Sequence, residues 1–187
     1  IQIALALPLG IEAFGEWMDI EFTEPIEPEK VTKLLQKNLP IEISINKALS
    51  VSLKGPSLSQ ELSSALWSFY LKEDSPSCIS QINWEEALNE LLDSPSLIWQ
   101  DTDKKGRPRK KDFQESLKAI KVNFDSHIGN DDDLIRNGWI PVQLETAIDP
   151  QGRSIKPSQI QQWISQKLNK SLLIKGIKRQ KLQLLQC

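Results

Sequence analysis

Short segments in which apolar and polar residues alternate constrain the fold of this chain more than any other feature. They lie at 17–23, 41–45, 120–124 and 142–148. Alternation with a period of two places one set of side chains on a buried face and the other in solvent, which is typical of half-buried strands. Apolar or aromatic-rich runs predict further strands at 1–7, 65–71, 97–99 and 172–185.

Three stretches between these strands have the apolar spacing of amphipathic helices. The first opens near Pro28 and ends before Pro40, and the last opens at Pro157. Proline is favoured in the first turn of a helix, where its missing N–H costs nothing. In the second stretch, Asn83 can cap the helix and Glu86 stands three residues later, which is the spacing of a capping box.

The order of these elements predicts an α+β fold. Residues 1–56 follow the order β-β-α-β, and residues 57–187 follow the order β-α-β, then strands, then α-β with one extra strand. The second order is that of a split β-α-β, or ferredoxin-like, unit. We therefore predict two ferredoxin-like units, over 1–56 and 57–187, the first of which lacks its opening strand and helix.

The start of the chain agrees with that missing strand and helix. The first residue is Ile1 and the single methionine is Met18. We therefore expect the chain to be a fragment of a longer protein. Loss of an opening strand and helix is expected to leave apolar surface uncovered around Ile3, Leu5 and Leu7.

Two cysteines, Cys78 and Cys187, and one histidine, His127, limit the available chemistry. The cysteines lie in no metal-ligand spacing, which favours a reducing compartment over a zinc, iron–sulfur or disulfide framework. We therefore expect a cytoplasmic protein. No apolar run approaches the roughly 20 residues of a membrane span, so we expect no membrane partner.

Charge is distributed unevenly along the chain. The net charge of −2 is made up of −11 over residues 1–103, +1 over 104–149 and +8 over 150–187. Such asymmetry indicates a C-terminal region that faces a polyanion or an acidic partner. The alternative is that folding mixes both signs on one surface and leaves no patch.

The densest basic segment is 104–111, in which six of eight residues are cationic. These candidate RNA-binding residues are Lys104, Lys105, Arg107, Arg109, Lys110 and Lys111. Gly106 and Pro108 predict a loop from which the cations can reach phosphates, and Trp99 just upstream could stack on a base. The alternative is a solvated hairpin tip that Asp101, Asp103 and Asp112 neutralise.

Three further groups of residues are candidates for a functional site, each with a simpler structural alternative. Asp19 and Glu21 share a strand face and could form a partner-facing carboxylate pair or a solvated face. His127 could act as a general acid or base, but it lies in a polar stretch that reads as a surface loop. The acidic run 131–133 lacks the ligand spacing and glycine of a calcium loop, which favours a solvated loop.

The C-terminal strand carries four cations, Lys175, Lys178, Arg179 and Lys181. In a regular strand Lys175 and Arg179 would share a face. This strand could bind a polyanion, or it could be a basic edge strand that resists pairing with another chain.

Three motifs resemble a known bacterial family. The first is Ala4-Leu5-Ala6-Leu7-Pro8-Leu9-Gly10, followed by Gly15-Glu16 and Asp19-Ile20-Glu21. The second is Lys104-Lys105-Gly106-Arg107 with Asp112, and the third runs from Arg153 to Pro157 into a helix. These residues are similar to the radical SAM-linked domain, which occurs alone or fused C-terminal to radical SAM proteins with a cobalamin-binding-type domain. Ala13 stands where the family has serine, so no role is carried over to that position.

The resemblance implies a genomic association with a ribonuclease of the E/G type and hence a link to RNA. Together with the basic segment, it predicts an accessory, non-catalytic module of a radical SAM system that positions RNA or another large anionic substrate. A three-cysteine cluster is absent from the sequence. The chain would therefore hold no cofactor, and a radical SAM domain in cis or in trans would carry the iron–sulfur cluster and S-adenosylmethionine.

Two other functions remain open. A protein-docking domain would use its acidic first half, with Asp19 and Glu21, to pair with a basic partner. A metal-independent hydrolase would use His127 or the carboxylates.

Overall fold

The computed structural model describes residues 1–74, 82–102, 105–122 and 132–185. Its elements in chain order are β1 (Gln2–Ile3), β2 (Glu12–Ala13), β3 (Met18–Asp19), α1 (Pro28–Asn38), β4 (Leu62–Glu73), α2 (Trp84–Leu92), β5 (Ile98–Thr102), β6 (Pro108–Asp112), β7 (Leu117–Val122), α3 (Asp132–Arg136), β8 (Ile140–Ala147), α4 (Pro157–Leu168) and β9 (Leu172–Leu184). A short 3-10 turn lies at Gln114–Ser116. These elements confirm the predicted α+β class.

The main sheet has five strands in the order β2-β9-β4-β8-β7. Its pairs are antiparallel except for β2, which runs parallel to β9. The core contains Phe69 and Leu144 of the sheet together with Leu88 of α2 and Ile164 of α4. The helices α2 and α4 therefore cover one face of this sheet.

Residues 62–184 follow the element order predicted for the second half of the chain. A strand, a helix, two strands, a helix and a strand succeed one another, with two additions: the hairpin of β5 and β6 after α2, and the short helix α3 between β7 and β8. The capping prediction also holds in part, because Asn83 Oδ1 accepts a hydrogen bond from the Glu86 N–H at 3.3 Å. The helix α4 begins at Pro157, and its C-cap Asn169 has a left-handed φ of 50°.

The first third of the chain differs from the prediction. The strand expected over 17–23 is reduced to Met18–Asp19, and the one expected over 1–7 is reduced to Gln2–Ile3. The strand predicted at 41–45 is wrong, since residues 41–61, all of them described, hold no strand. Ferredoxin-like units are not confirmed here, and the division at residue 56 stays a prediction.

A local contact explains why residues 41–45 need no strand partner. The Gln36 side chain donates from Nε2 to the carbonyl of Ile43 at 2.9 Å and accepts from the N–H of Ile45 at 2.9 Å. These bonds satisfy backbone groups that a strand would pair with a neighbour. Two apolar side chains of this segment remain in solvent, with Ile41 95% and Ile43 49% exposed.

The expectation that β9 is a basic edge strand is wrong at Lys178 and Arg179, where the two-residue strand β2 pairs with it on the side away from β4. Pairing of β4 with β9 shifts register between Leu66 and Trp67 and again between Ser68 and Tyr70. These irregularities break the simple alternation along β9. As a result Arg179 is buried whereas Lys175 is exposed, so the two do not share a face.

Candidate anion-binding surface

The basic segment lies on the hairpin of β5 and β6. Its register places Trp99 opposite Lys111, Gln100 opposite Lys110 and Asp101 opposite Arg109. Gly106 in the connecting loop has a φ of 75°, a left-handed conformation that glycine adopts without steric cost. The sequence predicted a loop for the whole basic segment. In the structure residues 105–107 form the turn, whereas Arg109, Lys110 and Lys111 belong to strand β6.

The described cations at the tip of this hairpin are exposed. They are Lys105, Arg107, Arg109 and Lys110. Lys104, which the sequence placed in the same group, lies outside the described residues. Alternation along β6 points Arg109 and Lys111 to one side and Lys110 to the other. The hairpin therefore presents positive charge on both of its faces.

Lys111 and Arg153 meet at one carboxylate, that of Asp149. Lys111 Nζ lies 3.1 Å and Arg153 Nε lies 2.8 Å from Asp149 Oδ2. The other oxygen, Oδ1, accepts from the backbone N–H groups of Gln151 at 3.0 Å and Arg153 at 2.8 Å. The structure thus joins Lys111 of the hairpin to Arg153 of the third family-like motif through Asp149, a residue that the sequence did not single out.

The electrostatics of Asp149 follow from these contacts. Burial by itself would raise the pKa of its carboxyl. Hydrogen bonds from the Arg153 N–H, the Lys111 ammonium and the Arg153 guanidinium outweigh burial, so the pKa lies below its ordinary value. Asp149 is therefore a fixed anion that anchors two cations at the base of the hairpin.

Asp112 holds the base of the hairpin rather than its tip. Its Oδ1 accepts from the N–H of Gln114 at 3.0 Å and from the N–H of Leu97 at 2.8 Å. These backbone hydrogen bonds lower the pKa of Asp112. Of the three aspartates expected to neutralise the tip, Asp103 and the side chain of Asp101 lie outside the described part of the structure.

Trp99 packs against the core. Its ring is half-buried and meets Trp163 edge to face, with centroids 6.1 Å apart. Trp163 in turn contacts Phe113, and its Nε1 donates to the carbonyl of Ile98 at 3.1 Å. Lys111 also lies over the Phe113 ring at 4.5 Å. The structure thus gives Trp99 a packing role beside the basic residues.

The acidic candidates lie on a different element. Asp19 belongs to β3, which pairs with β1 in a separate two-stranded sheet. Glu21 is exposed and follows the end of that strand, so the predicted common strand face does not extend to it. Met18 is 48% exposed and Phe22 is 45% exposed.

Among the other predicted candidates, those in the described part of the chain form no site. His127 and Asp131 lie outside the described residues. Asp132 and Asp133 begin α3, where Asp133 faces Arg136 at 3.9 Å. Within the described ranges, no group of three or more histidine, cysteine, aspartate and glutamate side chains could hold a metal ion. Likewise, no described helix is both long and apolar enough to cross a membrane.

The buried pair of Arg179 and Glu16 also escaped sequence reasoning. The Arg179 side chain is 1% exposed, and its Nε donates to Glu16 Oε1 at 2.7 Å. Glu16 belongs to the first family-like motif, which contains Gly15-Glu16. The resemblance to a family did not indicate which residue pairs with the Glu16 carboxylate.

The sheet order and the cationic hairpin define an α+β protein with an exposed basic surface. Residues 1–157 match a family described as an uncharacterized protein conserved in bacteria, DUF2344. Because this match covers most of the chain, the protein belongs to that family. Searches of curated proteins and of solved structures found no match.

Proposed function

We propose that this chain is an accessory, non-catalytic module that holds RNA, or another large anionic substrate, for a radical SAM system. The observation that carries the anion-binding part is the exposed tip of the β5–β6 hairpin, with its described cations Lys105, Arg107, Arg109 and Lys110. Lysine and arginine contacts to phosphates release counterions and give binding that depends on salt but not on sequence.

The base of the hairpin supports this role. Asp149 fixes Lys111 and Arg153, and Asp112 fixes the backbone where the hairpin meets the core. A hairpin held in this way keeps its tip in one place while the long side chains at the tip adapt to a flexible strand. In this proposal the residues around Asp149 and Asp112 position the hairpin, and the cations at its tip make the phosphate contacts.

The radical SAM part of the proposal is supported by the three short motifs that resemble the radical SAM-linked domain. In this proposal the present chain positions the substrate. The catalytic domain, in cis or in trans, carries the iron–sulfur cluster and S-adenosylmethionine.

A second candidate function is protein docking through the surface around β3. It is favoured by the exposed apolar side chains of Met18 and Phe22, which alternate with Asp19 and Glu21. Apolar side chains among carboxylates suit a partner surface that is both basic and apolar. This candidate requires no contact with nucleic acid.

A salt titration of binding to one unstructured RNA tests the proposed function. We expect the logarithm of the binding constant to fall linearly with the logarithm of salt concentration, by about 0.7 per phosphate contact. RNAs of unrelated sequence should bind alike. Lack of RNA binding at low salt, with loss of a protein complex on Asp19→Asn or Glu21→Gln, would favour docking instead.

A further inference from the structure

The face of the main sheet that points away from α2 and α4 carries its own pattern of residues. In β8 the buried side chains Val142 and Leu144 alternate with the half-buried Gln143 and Glu145. In β7 the buried Ile120 is flanked by exposed residues in the same way. Since the buried set belongs to the core with α2 and α4, the alternate set forms the opposite face.

Strand register aligns one row of this face across four strands. Lys178 of β9 stands opposite Ser68 of β4, Ser68 opposite Gln143 of β8, and Gln143 opposite Lys121 of β7. Gln180 adds an amide to this row, because its Nε2 donates to Ser68 Oγ at 2.6 Å. The row therefore has a lysine at each end and amides and a hydroxyl between them.

Two neighbouring rows extend the positive charge along β9. Lys181 stands opposite Leu66, which is opposite Glu145. Lys175 stands opposite Tyr70. The three rows together present four lysines and one glutamate. At 4.7–4.9 Å per strand, Lys121 and Lys178 are separated by three strand spacings, or roughly 14 Å.

The lysines of this sheet face outnumber the carboxylates that lie near them. Lys178 faces Glu12 of β2 at 3.6 Å, at the edge of the sheet. Lys121, Lys175 and Lys181 are exposed. Even with Glu12 counted beside Glu145, lysines outnumber carboxylates by two to one. Charge complementarity therefore selects an anionic occupant for this face.

We infer that this sheet face binds the phosphate backbone of a single-stranded nucleic acid, as a second surface in addition to the hairpin. The inference rests on the proposed function and names a further place where the same strand makes contact. Lysines can pair with phosphates, and the half-buried amides of Gln143 and Gln180 can hydrogen-bond phosphate or sugar oxygens, whereas Ser68 is buried and holds Gln180 in place. The one aromatic residue in these rows, Tyr70, is 5% exposed, so it offers no stacking platform and the contacts do not select bases.

A charge-removal variant tests this inference in the full chain. The triple variant Lys121→Gln, Lys175→Gln, Lys181→Gln removes three exposed cations from the face. A matched control, Lys30→Gln, Lys33→Gln, Lys37→Gln, removes the same charge from α1, a helix outside the sheet. Binding of an unstructured RNA and of a DNA of the same sequence is measured against salt concentration.

The expected result is a salt slope about two units shallower for the sheet variant with both strands, since each lost contact removes about 0.7. The control should keep the slope of the intact chain. An unchanged slope in the sheet variant, with RNA still lost on hairpin substitution, would overturn this inference and leave the proposed function standing.

Two further outcomes would also overturn the inference. Equal loss in the sheet variant and the α1 control would indicate a general charge effect. Lysine-dependent binding of polyglutamate, without binding of either strand, would indicate an acidic protein partner and would reject the proposed function as well.

Discussion

Arg179 of β9 and Glu16 of the N-terminal segment form an ion pair, with the guanidinium buried and the carboxylate partly exposed, that joins the two ends of the described chain. The guanidinium contacts both oxygens of the Glu16 carboxylate, and its Nη2 also donates to the carbonyl of Leu5 at 2.8 Å. Trp17 adds a bond from Nε1 to the carbonyl of Leu182 at 2.9 Å. The first family-like motif thus holds the N-terminal segment against the C-terminal strand.

Removing the charge of Glu16 should destabilise this docking. In Glu16→Gln the Arg179 guanidinium stays buried without its counter-charge, and an uncompensated buried group of this kind costs roughly 1–3 kcal/mol. Because Glu16 is itself 31% exposed, solvent screening should keep the loss near the lower end of that range. Chemical denaturation measures the change in the free energy of unfolding.

Glu12→Gln is the matched control for this prediction. Glu12 pairs with Lys178 at 3.6 Å and its side chain is 68% exposed, so its loss should cost little. Equal destabilisation by both substitutions would show that the buried pair has no special part in holding the segment.

Gly15 should resist substitution because β9 passes close to it. A Cβ at this position would lie 3.2 Å from the carbonyl oxygen of Gln180 and 3.3 Å from the Cα of Lys181, both backbone atoms. Gly15→Ala should therefore lower the thermal midpoint, since β9 must shift to make room. Gly55→Ala, where the nearest atom is 3.5 Å away, is the control, and an equal midpoint for both variants would contradict the close approach.

The Asp149 anchor predicts a pH dependence of stability. Its pKa is lowered by folding from the ordinary value of 3.8, so its contribution is present above that pH and is lost as pH falls through the lower folded value. Asp149→Asn should therefore lower the thermal midpoint at neutral pH, and the difference from the intact chain should shrink below pH 3.8. A difference that persists unchanged into strong acid would rule out the charge of Asp149 as its source.

Trp99 distinguishes packing from base stacking. Because its ring packs against Trp163, Trp99→Ala should destabilise the fold, and an edge-to-face aromatic pair alone contributes about 0.5–1.5 kcal/mol beyond its buried area. Denaturation of the variant measures this loss. Unchanged stability with weakened RNA binding would instead support the stacking role predicted from sequence.

Local patterns predicted the part of the fold in which local and tertiary preferences agree. The alternation at 142–148 and the capping pair of Asn83 and Glu86 appear where they were expected, since periodicity and capping depend on nearby residues. The strand predicted at 41–45 does not form, because an alternation of apolar and polar residues does not by itself provide a neighbouring strand to pair with. Gln36 binds its backbone instead.

In the candidate site, too, features set by nearby residues could be predicted and features set by distant residues could not. The cationic hairpin was visible from composition and turn residues, which are local. The burial of Arg179 was not, because it follows from register shifts between β4 and β9, and register is a property of two strands. The role of Asp149 likewise depends on Lys111, which is 38 residues away in sequence.

The salt dependence of RNA binding by a hairpin-tip variant tests whether the exposed cations of the β5–β6 hairpin contact the RNA backbone. Lys105→Ala, Arg107→Ala, Arg109→Ala removes three exposed cations from a tip that buries little, so the fold should remain intact. Lys30→Ala, Lys33→Ala, Lys37→Ala on α1 serves as the control. We expect a log–log slope about two units shallower for the tip variant and an unchanged slope for the control. Identical slopes for the tip variant and the intact chain would contradict this expectation.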